Sequence, residues 1–167
     1  MTITDTRTDG RHDFDFVMGR WSIHNRRLAS LQQPGCTDWV EFEASSEQSP
    51  ILGGLGNIDR YVAPKVLPGG HALEGFTLRL FNPDTGLWRI WWASDSRPGQ
   101  LDPPVEGRFE DGHGRFECDD ILNGQPIRVR FDWTGMSAES ARWEQSFSYD
   151  GGATFESNWV MTMTRPA

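Results

Sequence analysis

The chain has 167 residues, which suits a single domain, and 12% of them are aromatic, including eight Trp whose rings supply large areas for burial. Its formal net charge of -8 argues against nucleic acid and anionic membranes as partners, since both favour a basic surface. Two cysteines, Cys36 and Cys118, are too few for a disulfide framework and form no CxxC pair, which argues against structural zinc.

The first residues are polar, and we expect residues 1–12 to form a disordered tail ahead of one domain over residues 13–167. The tail lacks the apolar segment of a signal peptide, and no apolar run approaches the ~20 residues of a membrane span. We therefore expect a cytoplasmic protein with free thiols. The segment DFDFVM, residues 13–18, predicts one short helical turn that plugs a barrel end.

Beyond this turn the sequence predicts strands joined by turns. NPDTG at residues 82–86 and NG at 123–124 are typical of hairpin turns, and the glycines within residues 52–61 indicate a bent or bulged strand. The predicted strands cover residues 21–28, 39–44, 52–61, 73–81, 87–94, 105–110, 115–122, 127–133, 141–149 and 155–164.

Consecutive strands joined mostly by hairpins either leave two long edges or close on themselves, and closure removes the edges. We predict an all-β fold, a single closed antiparallel up-and-down barrel of about 8–10 strands, with room inside for side chains and one small ligand. A two-sheet sandwich is the alternative architecture.

Gly19-Arg20-Trp21 opens the first strand, and Arg165 ends the last. This combination resembles the lipocalin and calycin superfamily, whose members carry G-x-W at this place and a basic residue that packs over the Trp. The resemblance implies a lipocalin-like barrel in which Trp21 and Arg165 close one end.

The chain is also similar to a group of bacterial lipocalin-like proteins from about residue 14 to residue 165. That group has no established catalytic residues, so the resemblance assigns none here. The segments that carry it are LGGLGN (52–57), EGFTLRLFNPDTGLW (74–88), LDPPVEGRFEDG (101–112) and ARWEQSFSYDGGATFESNW (141–159).

SYDGGATF, residues 148–155, resembles the Asp-box of sialidase propellers. One copy does not make a propeller. In that motif the Asp and hydroxyl side chains bond the loop backbone, so we predict that this segment pins a hairpin.

Alternation along each strand selects candidates for the barrel interior, because residues two apart share a face. The apolar members of each strand predict that five polar side chains point inward, namely Asn25, Arg27, Glu74, Asp120 and Gln145, beside walls formed by Phe76, Trp92 and Trp159. The opposite, solvated faces would carry His24 and charged residues that include Arg26, Glu41, Glu43, Arg79, Arg89, Arg128, Arg130, Arg142 and Glu144.

Polar groups aimed into an aromatic interior are typical of a ligand site. The first hypothesis is therefore a protein that binds a small apolar or aromatic molecule. The predicted contacts are Asn25, Phe76, Trp92, Gln145 and Trp159.

The second hypothesis is an enzyme of small-molecule metabolism, such as a cyclase, isomerase or dehydratase. Glu74 or Asp120 would be the catalytic general acid or base, and Arg27 would stabilise negative charge. The structural alternative is that Arg27 pairs with Glu74 or Asp120 in a core salt bridge, or that these carboxyls lie in water at strand ends.

The third hypothesis is a protein-interaction domain with a filled barrel. Trp39 and Trp91 fall on polar faces, which indicates either a partner surface, with a homodimer as the expected partner, or coverage by a loop. The four histidines show no metal spacing and no phosphate-binding loop is present, so we expect no metal and no cofactor.

Overall fold

A computed structural model describes residues 9–66 and 70–167 and shows an all-β protein, with ten antiparallel strands closed into one barrel. The predicted lipocalin-like barrel is confirmed, and the sandwich alternative is wrong. The strands are β1 (Gly19–Leu28), β2 (Trp39–Ile51), β3 (Gly56–Ala63), β4 (Leu73–Asn82), β5 (Leu87–Ser94), β6 (Val105–Glu110), β7 (His113–Leu122), β8 (Gln125–Thr134), β9 (Ser140–Ser148) and β10 (Glu156–Thr164).

Each strand pairs with the next one along the chain, and β1 pairs with β10 to complete the ring. In the closing pair, Asn25 lies opposite Met161 and Arg27 lies opposite Trp159. Closure gives every strand two hydrogen-bonded neighbours, which removes the unpaired edges that favour aggregation. Within residues 9–66 and 70–167, no helix has the length and apolar character needed to cross a membrane.

One end of the barrel is sealed by the predicted helical turn, a 3-10 turn at Asp15–Val17. Phe14, which precedes it, is fully buried and meets the ring of Trp88 edge-on at a centroid distance of 5.0 Å. Residues 1–8 of the predicted tail lie outside the described residues, whereas the Gly10 carbonyl accepts a hydrogen bond from Trp88 Nε1 at 3.0 Å. Contacts with the barrel therefore begin before residue 13.

The predicted pairing of Trp21 with Arg165 closes the same end. The guanidinium carbon of Arg165 lies 3.7 Å from the centroid of the Trp21 ring, within the range of a cation–π interaction. Trp21 Nε1 donates to the Val17 carbonyl at 2.7 Å. The Arg165 guanidinium also donates to backbone carbonyls at the start of the barrel, those of Phe16, Met18 and Arg20.

The Asp-box pins the hairpin between β9 and β10, as predicted. Asp150 accepts from Ser148 Oγ at 2.7 Å, from the Thr154 backbone N–H at 2.9 Å and from Thr154 Oγ1 at 2.6 Å. These hydrogen bonds favour the carboxylate and lower the pKa of Asp150 to about 2. The segment is therefore a structural turn.

The second and third strands differ in extent from their prediction. β2 continues to Ile51 instead of ending at residue 44, because SSEQS in its second half lacks the apolar residues that mark a strand. β3 begins only at Gly56, after a 3-10 turn at Leu52–Gly54 whose backbone includes positive φ values at all three residues. The Gly-rich segment therefore forms the turn, and the strand follows it.

Candidate functional site

The barrel encloses a cavity of about 740 Å³, a size typical of small-molecule sites. The 3-10 turn seals one end. The mouth lies at the other end, because the lining includes loop residues that follow β1, β3 and β5. Those loop residues include Leu31, Gln32, Val66, His71 and Arg97.

Four aromatic side chains on four strands form a continuous wall in this cavity, namely Tyr61, Trp92, Trp143 and Trp159. Trp159 stands at the centre, with centroid distances of 5.7 Å to Trp143, 6.3 Å to Trp92 and 6.4 Å to Tyr61, all edge-to-face. Such contacts fix the rings against one another and leave an apolar surface toward the cavity. Trp92 and Trp159 were both predicted to line the interior.

The inward position of Trp92 depends on Gly75 in the neighbouring strand. A Cβ atom on Gly75 would lie 1.9 Å from the Trp92 ring, so the ring occupies the space that any other residue would need. Gly75 therefore faces the interior, and its neighbours face outward. The prediction that Glu74 and Phe76 line the cavity is wrong.

Glu74 and Phe76 lie on the outer face of β4. Glu74 accepts from the Arg60 guanidinium at 2.7 Å, and this ion pair lowers the pKa of Glu74. The Phe76 residue is 40% exposed. Arg79 shares a face with Gly75 and is only 4% exposed inside the barrel. The prediction that Arg79 lies on the solvated face is therefore wrong.

In β4 the outward face is more apolar than the inward face, the reverse of the usual arrangement in a barrel. The outward set contains Phe76, Leu78 and Leu80, and Leu78 lies between Ile58 of β3 and Trp91 of β5 in the strand register. These residues form an apolar patch on the outside of the barrel. Alternation alone therefore selected the wrong face, because the outer set is the more apolar one.

Arg79 and Asp59 form a buried ion pair deep in the cavity. Their closest nitrogen and oxygen lie 3.4 Å apart, and Arg79 also donates to Gln48 Oε1 at 3.0 Å and Asn57 Oδ1 at 2.8 Å. Asp59 accepts from the Thr77 backbone N–H at 3.0 Å. Burial raises the pKa of Asp59 and lowers the pKa of Arg79, and each partner's charge opposes the other's shift.

This buried pair was missed by the sequence analysis, although β3 contained a signal for it. Asn57, Asp59, Tyr61 and Ala63 alternate along β3, and the two apolar members mark their shared face as the interior. The apparent bend in the segment before β3 obscured that alternation.

Arg27 lines the cavity, as predicted, but without the expected partner. Its guanidinium carbon lies 4.8 Å from the centroid of the Trp159 ring. Among the described residues no carboxylate oxygen lies within 4.0 Å of its guanidinium, and its buried Nε has no hydrogen-bond partner. The predicted salt bridge to Glu74 or Asp120 is therefore wrong. Burial lowers the pKa of Arg27.

Asn25 lies behind the aromatic wall and not on its surface. It is completely buried, and its Oδ1 accepts from Tyr61 OH at 2.8 Å and from Trp159 Nε1 at 3.0 Å. Its Nδ2 donates to the carbonyls of Ile23 and Phe42. Asn25 was predicted to contact a ligand, whereas this geometry gives it the role of positioning two wall residues.

Gln145 and Asp120 line the cavity at different places. Gln145 donates to Asn158 Oδ1 at 2.9 Å, and Asp120 accepts from the Ile121 backbone N–H at 2.7 Å near the mouth.

Cys118 lines the cavity beside Asp120, and burial together with nearby carboxylates raises the pKa of this thiol to about 12. Cys118 is therefore a neutral thiol and a poor nucleophile near neutral pH.

A loop over residues 29–38, here called the mouth loop, contributes residues 29–32 to the cavity lining. Its base is held by the Ala29 backbone N–H, which donates to the Asp38 carbonyl at 2.7 Å. Its tip is held by the side-chain amide of Asn123, which donates to the Gln32 carbonyl. The loop therefore reaches from β1 toward the β7–β8 turn at the mouth.

The remaining predicted surface residues lie outside the cavity. His24 is on the outer face between Glu41 and Glu43, as predicted, and the half-buried Trp39 is covered by the Arg26 guanidinium at 4.3 Å. Trp91 adjoins the outer apolar patch of β4. In the part of the chain that the structure describes, no group of three or more His, Cys, Asp and Glu side chains could hold a metal ion.

No protein-family model matches this sequence, and no curated protein matches it. Solved structures that share its fold include the following two. Rv2717c from M. tuberculosis has a TM-score of 0.62 and 8% identity, over 95% of this chain and 98% of that one. The S-type phycobiliprotein lyase CPES from Guillardia theta has a TM-score of 0.60 and 9% identity, over 99% of each chain. Both are lipocalin-like barrels, and at these identities the likeness shows the fold alone.

Proposed function

We propose that this protein binds a small, largely apolar or aromatic molecule inside the barrel. The observation that carries the proposal is the cavity of about 740 Å³ with its wall of four mutually packed aromatic side chains. Preformed cavities of this kind hold ligands mainly by burying apolar surface, with a few polar groups that orient them. The open mouth supplies a route of entry.

The carboxyl groups favour binding over the enzymatic alternative. Glu74 lies outside the barrel, and Asp59 is held by Arg79 and by the Thr77 backbone N–H. Asp120 is the predicted catalytic carboxyl that still lines the cavity, at its mouth. The fold neighbour that is a lyase, at 9% identity, assigns no chemistry to this chain.

The cavity also separates this proposal from a protein-interaction domain with a filled barrel. A volume of about 740 Å³ is far larger than the space of a few water molecules.

A homodimer and a cytoplasmic location remain predictions. The outer apolar patch around Phe76 and Trp91 is where we would expect a partner copy to bind.

Paired substitutions on β2 test the proposal. Ser46 lines the cavity and is 5% exposed, whereas the adjacent Ser45 faces solvent. A Trp at position 46 would occupy the cavity, and a Trp at position 45 would leave it open. The probe is the neutral 1-pyrenebutanamide, and binding is measured by energy transfer from Trp to pyrene.

We expect the wild type and Ser45→Trp to bind the probe alike, and Ser46→Trp to bind it about tenfold more weakly or worse, a difference of about 1.4 kcal/mol. Thermal melting checks that each variant folds. Val129→Trp, on another part of the lining, repeats the test at a second position. Equal affinity in all four proteins would show that the probe binds elsewhere.

A further inference from the structure

Among the described residues, six carboxylate or guanidinium side chains line the cavity, and four of them form two ion pairs. Arg79 pairs with Asp59 deep inside, and Arg97 pairs with Asp102 at 2.7 Å near the mouth. The other two are Arg27 and Asp120. These two groups form no ion pair with each other, so neither charge is neutralised by the other.

Arg27 lies within the aromatic wall. It is next to Trp159 in the strand register and stacks on the face of that ring. Tyr61 OH and Trp159 Nε1 both donate to Asn25, so neither of these donors is available to a ligand. Arg27 supplies charged N–H donors beside the Trp159 ring, and its buried Nε has no hydrogen-bond partner among the described residues.

A guanidinium held in such a place without a carboxylate is costly to the folded protein. Burial weakens its hydration, and the contact with the Trp159 ring offsets only part of that loss. A ligand that carries a negative charge would supply the missing partner. The planar guanidinium matches a carboxylate in particular, since two parallel N–H groups can donate to its two oxygens.

We propose that the ligand is an amphipathic monocarboxylic acid whose carboxylate binds the Arg27 guanidinium and whose apolar body packs on Trp92, Trp143 and Trp159. This inference rests on the proposed function and adds the chemical class of the ligand. A single charge is favoured over a phosphate dianion, because the other cavity guanidinium groups, Arg79 and Arg97, are each engaged by an Asp.

The test compares two probes that differ only in charge, 1-pyrenebutyrate and 1-pyrenebutanamide, at neutral pH. For the wild type we expect the acid to bind about tenfold tighter than the amide or better, the size of effect that a charged hydrogen bond gives. Arg27→Met should remove this preference and leave affinity for the amide within about twofold. Arg27→Lys should keep part of the preference, because it retains the charge without the planar fork.

Asp120→Asn is the matched control, because Asp120 is the cavity carboxylate that forms no ion pair within residues 9–66 and 70–167. It should leave the preference for the acid intact or slightly larger. Thermal melting of the ligand-free proteins gives a second readout. A structural Arg27 would make Arg27→Met less stable, whereas a ligand-binding Arg27 without a carboxylate partner predicts an equal or higher melting temperature.

The outcomes separate this inference from the proposed function. Equal binding of acid and amide by the wild type would overturn the inference while the cavity still bound a ligand. Binding of neither probe would count against the proposed function itself. Retention of the full preference in Arg27→Met would also overturn the inference. If Arg27→Met failed to fold, the inference would be tested by the ratio of acid to amide affinity in the wild type and in Arg27→Lys.

Discussion

At the scale of single residues, Asn25 shows how a side chain outside the cavity determines its shape. Its one oxygen accepts hydrogen bonds from Tyr61 and Trp159, and its nitrogen is anchored to the backbone. Both rings are therefore held at fixed positions with their polar atoms turned away from the cavity. The apolar surface that Tyr61 and Trp159 present to the cavity therefore depends on this one buried amide.

We predict that Asn25→Ala lowers the free energy of unfolding by about 2–4 kcal/mol, because it leaves two buried donors without an acceptor. Urea denaturation measures the change. His24→Ala, on the outer face of the same strand, is the control and should cost less than about 0.5 kcal/mol. The same Asn25 variant should bind the neutral pyrene probe more weakly. A loss of stability no larger than that of the control would contradict the positioning role.

At the scale of elements, β4 shows what the sequence could predict and what it could not. Its boundaries and its hairpin to β5 were predicted, because NPDTG is a strong turn signal. Its orientation was not, because the outward set is the apolar one and the inward set includes Gly75 and Arg79. Two contacts between strands determine this orientation, the Trp92 ring over Gly75 and Asp59 beside Arg79. Such contacts produce no pattern in the sequence of β4 itself.

The candidate site divides in the same way. Strands whose inward set was clearly apolar, β1 and β5, gave correct positions for Arg27 and Trp92. Asn25 was placed inside, but its contact with Tyr61 depends on side-chain geometry that strand alternation does not contain. The partners of a buried polar group are set by packing between strands, so the sequence predicted its presence and not its role.

The mouth loop is the element that we expect to control ligand exchange, and Asn123→Gly tests this expectation. Asn123 has a φ of 50°, which glycine adopts without strain, so the variant removes the amide bond to Gln32 and preserves the turn. Losing one hydrogen bond worth about 1 kcal/mol should speed probe dissociation about fivefold and lower the melting temperature by only about 2–4 °C.

Stopped-flow dissociation of the bound pyrene probe measures this rate. Gln125→Ala, at the start of β8, is the control for a change near the same turn. If both variants release the probe at the wild-type rate, the bond between Asn123 and the mouth loop does not control exchange.

At the scale of the whole molecule, closure and cavity follow from the same arrangement. The ring gives each of the ten strands two hydrogen-bonded neighbours, and a cluster of aromatic residues fills the sealed end. Phe14 packs there against Trp88, while Trp159 and its neighbours line the open half. One half of the barrel is therefore packed with aromatic side chains, and the other half holds the cavity and its mouth.

The most direct test of binding inside the barrel is a crystal structure of the protein with 6-bromo-2-naphthoate, located by the anomalous signal of bromine. We predict a bromine peak within the cavity, with the naphthalene ring against Trp92 and Trp159 and the carboxylate at Arg27. A peak on the outer patch beside Phe76 and Trp91, with the cavity free of the probe, would contradict the account.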